Sequence, residues 1–147
     1  MRLAHVGDLG CMPAPEQLER LLGVDVLLVP VGGFYTIDAK QAKAIIDRGG
    51  FIGVNFYSNF LKSDGPATMD DVVRHIDALC ELGAEHVIGF GSDFDGIDAW
   101  PEGLGDPSAF PALLDALRKR GYSEATLEGI AGLNLWYLLK RAERAAG

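Results

Sequence analysis

Four short apolar runs, each the length of a strand and three of them followed directly by glycine or proline, restrict most strongly what this chain can fold into. They are Leu3–Val6, Val24–Val29, Phe51–Phe56 and Val87–Phe90. Val24–Val29 is nearly continuous in its apolar character, which suggests a strand buried on both faces, as in parallel sheets. Helical spacing fills the gaps between the four runs. A helix over Pro15–Leu22 carries Leu18, Leu21 and Leu22 on one face, and one over Ala39–Asp47, capped by Asp38 and stopped by Gly49-Gly50, carries Ala42, Ile45 and Ile46. After a polar loop over Ser58–Ala67, Thr68 caps a third helix with Val72, Ile76, Leu79 and Leu82 as its stripe, and Asp70 and Asp71 suit its N-terminal dipole.

A Gly-, Pro- and Asp-rich loop, Asp95–Pro107, follows the last run. Three helical stretches then close the chain: Ser108–Arg120 with Phe110, Leu113, Leu114 and Leu117, Ser123–Ala131 with Ser123 as N-cap, and Leu133–Ala145 with Leu135, Leu138 and Leu139 inward. The order βαβαβαβααα predicts a single α/β domain over residues 1–147, with about four parallel strands alternating with helices, right-handed crossovers and a helical C-terminus.

Composition narrows the partners. A net charge of -8 argues against nucleic acid and anionic membranes, which need clustered Lys and Arg. No apolar run approaches the roughly 18 residues of a spanning helix, and the first residues carry no secretion-type apolar region. Cys11 and Cys80 are too few for a disulfide framework or a cysteine zinc site, so a reduced, cytoplasmic setting is expected.

Chemistry concentrates in Glu85–Gly96, EHVIGFGSDFDG, where a buried run delivers Asp93 and Asp95 to its C-terminal end. In parallel α/β folds that end is where ligands and catalytic groups collect. Phe94 stands where a dinucleotide fingerprint needs a glycine, and Leu104 where a calcium loop needs a glutamate, so both motifs fail. An apolar strand followed by Asp-x-Asp-Gly also resembles haloacid-dehalogenase-like phosphatases, although Ile97 replaces the expected threonine. Asn55, Tyr57 and Asn59 follow the third run and can line the same site. Trp100 reads as a lid over the core, His75 as a packed or partly exposed side chain and His86 as lying at the opposite strand end. Equally open is that Asp93 and Asp95 only bond backbone N–H groups in a turn, as aspartate commonly does.

A longer match sharpens this. Gly49-Gly50-Phe51-Ile52-Gly53-Val54-Asn55-Phe56-Tyr57, Gly65-Pro66-Ala67-Thr68, Asp71–Ile76, Glu85–Gly96 and Trp100-Pro101-Glu102-Gly103-Leu104 together resemble the membrane (renal) dipeptidase family, binuclear zinc enzymes on a (β/α)8 barrel. The resemblance covers about residues 49–147, the last few β/α units of that barrel. It implies that Asp93 is the acid taking a proton from metal-activated water, with Asp95, Gly96, Asn55 and Tyr57 near a small peptide substrate. Residues of about 3–43 instead resemble the late β/α segment of metallo-β-lactamase-fold hydrolases, which carries Asp8 over as a metal ligand; a turn-capping aspartate is the alternative. The chain thus reads as composite.

What either site needs beyond this is missing. The histidines are His5, His75 and His86, and no local spacing supplies the three protein ligands of a catalytic zinc. Two readings follow: a dipeptidase-like, metal-dependent hydrolase with an incomplete metal site, with zinc its implied cofactor, or a catalytically inert composite or designed scaffold that binds none. Half a barrel leaves sheet edges exposed, which predicts either homodimerisation or other self-association into a barrel-like assembly, or rearrangement into an open three-layer sandwich.

Overall fold

The computed structural model describes residues 1–5, 14–28 and 39–147. Along them run β1 (Leu3–His5), α1 (Pro15–Leu21), β2 (Val26–Leu28), α2 (Ala39–Asp47), β3 (Ile52–Asn55), α3 (Ser58–Leu61), α4 (Met69–Glu81), β4 (Ile88–Ser92), α5 (Phe110–Lys119), α6 (Glu124–Glu128) and α7 (Asn134–Ala145). The α/β alternation is as expected and every strand pairing is parallel. The four strands associate two by two, β1 with β2 and β3 with β4, and among the described residues no ladder joins the pairs.

The core is built on one face of β3–β4. Because side chains alternate along a strand, β3 turns Ile52 and Val54 inward, with Phe56 continuing the row fully buried, while Gly53 and Asn55 take the other face. Against that row α4 lays Val72, Val73 and Ile76, α5 adds Leu113 and Leu117, and Leu127 and Ile130 complete the cluster. Each such side chain contributes roughly 1.5–3 kcal/mol on burial. Phe56, Phe90, Phe94 and Phe110 form an aromatic group within it, with centroids 5.7 Å apart for Phe56–Phe94 and 5.1 Å for the stacked Phe90–Phe110.

The register of β3 on β4 runs Gly53 to Gly89 and Val54 to Phe90, then slips so that Asn55 faces Ser92. Gly91 is the extra residue of this bulge. A Cβ there would lie 2.7 Å from the Gly53 carbonyl carbon, so only glycine lets the strands close.

Helix boundaries show where tertiary contacts override the local pattern. Ser58–Leu61, expected within a polar loop, is one helical turn because Ser58 and Leu61 are buried. The last two predicted helices are separate, as expected: Gly132, with non-helical backbone (φ 163°, ψ -24°), makes the kink between the stretch that continues α6 and the start of α7. Asn134, the first residue of α7, is buried and donates from Nδ2 to the carbonyls of Glu85 (3.0 Å) and Ile88 (2.8 Å). Gly129 leaves room for it, since a Cβ would sit 2.7 Å from Asn134 Oδ1.

Caps follow the sequence more closely. Ser123 Oγ accepts from the Thr126 N–H at 3.1 Å, and the Asp71 carboxylate accepts the Thr68 N–H (2.7 Å) and hydroxyl (2.8 Å) while pairing with Arg74. Those bonds, the Thr68 N–H first, hold the Asp71 carboxyl below the usual carboxylate range. Leu22 departs from its predicted stripe and is 72% exposed, because α1 ends at Leu21 and Leu22 is its extended C-cap (ψ 132°), off the helical face.

Candidate active site

β3 and β4 run parallel, so their C-terminal ends meet, and this places Asn55 beside the residues that leave β4. There the backbone does something unusual. Ser92 (φ 48°) and Asp93 (φ 71°) both occupy the left-handed region, which costs a non-glycine residue on the order of 1 kcal/mol or more. The reversal is held from three sides. The Phe56 N–H donates to the Ser92 carbonyl at 3.0 Å, the Gly96 N–H donates to the Asp93 carbonyl at 3.0 Å, and the Phe94 ring is anchored among Phe56, Phe90 and Phe110.

The side chain of Asp93 is held as well. Asn55 Nδ2 donates to Asp93 Oδ2 at 3.0 Å, and the Tyr57 N–H donates to Asn55 Oδ1 at 2.7 Å. Only an acceptor can face that N–H, so the Asn55 nitrogen must face the carboxylate. The other oxygen, Oδ1, lies over Gly96, where a Cβ would collide with it. Tyr57 is half-buried; its ring packs edge-on against Phe60 at 4.9 Å and its hydroxyl accepts from Asn59 Nδ2 at 2.7 Å.

Asn55, Tyr57, Asp93 and Gly96 are therefore brought together, as the sequence suggested. Asp95 is exposed and takes no part in these hydrogen bonds. Asp8 and Gly32-Gly33 lie outside the described residues. The long loop folds back over the strand ends: the Ser58 N–H donates to the Ala99 carbonyl (3.0 Å), the Glu102 N–H to the Ala67 carbonyl (2.8 Å), and Pro101 and Leu104 are buried. Trp100 is not the expected lid over the core. It is 44% exposed and works as a tie, its indole N–H donating to the Phe94 carbonyl at 3.2 Å.

Two contributors escape a reading by motif. Phe94 looks like a residue interrupting a glycine pattern and is the anchor of the acid-bearing turn; an aromatic between two exposed acids is the signal that could have found it. Asn134 opens an amphipathic helix far along the chain, and nothing in its neighbours announces its partners.

A metal does not fit the described residues. Among them no three or more His, Cys, Asp or Glu side chains cluster closely enough to hold one. His75 Nε2 lies 3.1 Å from the Leu61 carbonyl, which ties α4 to α3, and His86 is exposed ahead of β4. What the arrangement offers chemically is a carboxylate fixed through one oxygen, with the other placed to exchange a proton.

Comparison with known proteins adds two family matches. The model described as membrane dipeptidase (peptidase family M19) matches residues 35–147, and that of a beta-lactamase superfamily domain matches residues 1–48. The first reaches back ahead of Gly49, so the two overlap across α2. Among curated proteins, an uncharacterized protein in the pqqA 5′ region of Klebsiella pneumoniae is 41% identical over 105 residues, covering 69% of this chain and 38% of the relative. Dipeptidase ataJ of Aspergillus terreus is 44% identical over 102 residues, covering 67% and 25% respectively. A solved metallopeptidase from Rhodobacter sphaeroides, liganded with a phosphinate mimic of the dipeptide L-Ala-D-Ala, superposes with a TM-score of 0.75 at 27% identity, over 92% of this chain and 42% of that one. The dipeptidase AC, a metallopeptidase of family M19, gives 0.74 at 28%, over 92% and 43%. The chain thus spans 38% and 25% of the length of these two curated relatives.

Proposed function

This chain belongs to the membrane dipeptidase family, peptidase family M19, and on that premise we propose that it is the acid-bearing portion of a metal-dependent hydrolase of dipeptide-like substrates. The observation that carries the reading is the Asp93 carboxylate, held by Asn55 where two parallel strands end. Asp93 is the general base, with Oδ1 as the oxygen that takes the proton. Tyr57, on the same strand end, lines the substrate side. In this reading the metal ligands come from outside the described residues, with Asp8 as the candidate carried over from the resemblance. Zinc is the metal proposed, and the setting is cytoplasmic; among the described residues no helix is long and apolar enough to cross a membrane.

Self-association belongs to the same reading. The sheet β3–β4 has two strands and so two unpaired edges among the described residues, and α7 exposes Trp136 and Tyr137. We propose a homodimer, and sedimentation showing a stable, well-behaved monomer would remove it.

A second reading has its own support. The three histidines of the chain, His5, His75 and His86, supply no local set of zinc ligands, and this sequence feature favours an inert composite scaffold with an inherited acid. One experiment separates the two: zinc is returned to chelator-treated protein while binding is followed by calorimetry and dipeptide hydrolysis is assayed. The enzyme reading expects stoichiometric zinc, weakened by Asp8→Asn, and hydrolysis that falls about 10²- to 10⁴-fold in Asp93→Asn. Zinc uptake no greater than surface carboxylates give, with no hydrolysis, leaves the scaffold.

A further inference from the structure

We infer that Asn55 is a positioning residue for Asp93: clamped by the Tyr57 N–H, its amide fixes one carboxylate oxygen and leaves the other, above Gly96, free for proton exchange. The inference deepens the proposed function and depends on it only for calling Asp93 a base. The geometry itself involves no metal and no substrate.

Three features converge on it. The first is the chain of donors, Tyr57 N–H to Asn55 Oδ1 at 2.7 Å and Asn55 Nδ2 to Asp93 Oδ2 at 3.0 Å, which leaves the amide a single useful orientation. The second is the strained backbone of Ser92 and Asp93, which keeps the Cα–Cβ bond of Asp93 aimed toward β3. The third is Gly96. Its φ is not in the left-handed region, so the glycine is not required for its backbone conformation; it is required for space, since a Cβ would meet Asp93 Oδ1.

The chemistry of the side chain also matters. Aspartate at 55 could not donate and would repel the carboxylate, serine would fall short, and a lysine or arginine would hold the carboxylate as an ion pair and weaken it as a base. A neutral amide orients the carboxylate without capturing its charge.

Nuclear magnetic resonance on the full, chelator-treated chain tests this without any assay of activity. The readout is the χ1 rotamer of Asp93, taken from the three-bond couplings of its two β-protons, with the Asn55 side-chain amide resonances alongside. In the parent, Asp93 holds one rotamer. In Asn55→Ala it averages over the staggered wells, and in Gly96→Ala the carboxylate is displaced and the Asn55 amide protons lose their hydrogen-bonded shift, with the melting temperature little changed. Averaging in the parent, or a single rotamer retained in Asn55→Ala, overturns the inference. Should Asn55→Ala not fold, the parent couplings and Gly96→Ala decide it. Failure to hydrolyse dipeptides would sink the proposed function and leave this result standing.

Discussion

The described residues contain two parallel strand pairs of similar length, and among them only β3–β4 is packed into a layer. In β1–β2, three residues face three, Leu3 is 53% exposed and the neighbouring Leu22 is 72% exposed; Val26 is the buried side chain described there. In β3–β4, the inward row meets α4 and α5, four phenylalanines interlock, and Asn134 pins the base of β4 to α7. Two strands alone are marginal in water. The difference teaches that pairing does not make a platform; a covering layer of helices does. The layer is also what the candidate site needs, because two left-handed residues in succession persist only where the surroundings hold them.

Substitutions should separate the pairs sharply. Phe56→Ala, which empties the centre of the aromatic group, is expected to cost about 3–5 kcal/mol in urea unfolding, and a smaller loss would mean the layer is looser than described. Asn134→Ala leaves the buried Ile88 carbonyl without its amide donor and is expected to cost about 1–3 kcal/mol by the same measurement. Val26→Ala, in the poorly covered pair, should cost about 1 kcal/mol, near the transfer term alone. A penalty rivalling that of Phe56→Ala would break the contrast.

Acid titration provides a finer probe. The Asp71 carboxyl is lowered in the folded chain, so its contribution is fully present above the unfolded value of about 3.9 and is lost as pH falls through the lower folded value. The stability gap between the parent and Asp71→Asn should therefore be constant near neutrality and close in that acid range. A gap independent of pH would mean that the Thr68 bonds do not discriminate the charged form. Smallest of all, Leu22→Ser should change stability by no more than about 0.5 kcal/mol, as for an exposed position.

Much of this was legible beforehand, for reasons that differ by residue. Val72, Ile76, Leu113 and Leu117 recur at helical spacing because one face of each helix must be buried, and the structure buries them. Asn55 and Asp93 could be placed at one end because parallel strands put their C-termini together. Their hydrogen bond could not be foreseen, since it depends on a one-residue slip at Gly91. Asn134 was hidden for a similar reason: its partners lie 46 and 49 residues away, and no local pattern encodes contacts at that range. Leu22 misled because the helical pattern does not mark where the helix stops, and α1 ends one residue before it.

The central claim is that the covered pair alone holds the acid-bearing turn, before any metal is bound. Native-state hydrogen exchange on chelator-treated protein tests it most directly. The amides of Phe56, Tyr57 and Gly96, which close the turn around Asp93, should be protected close to the level of the α4 core, and those of Asp25 and Val26, bonded to the Arg2 carbonyl, should exchange much faster. Rapid exchange at Phe56, Tyr57 and Gly96, or equal protection in both strand pairs, would contradict it.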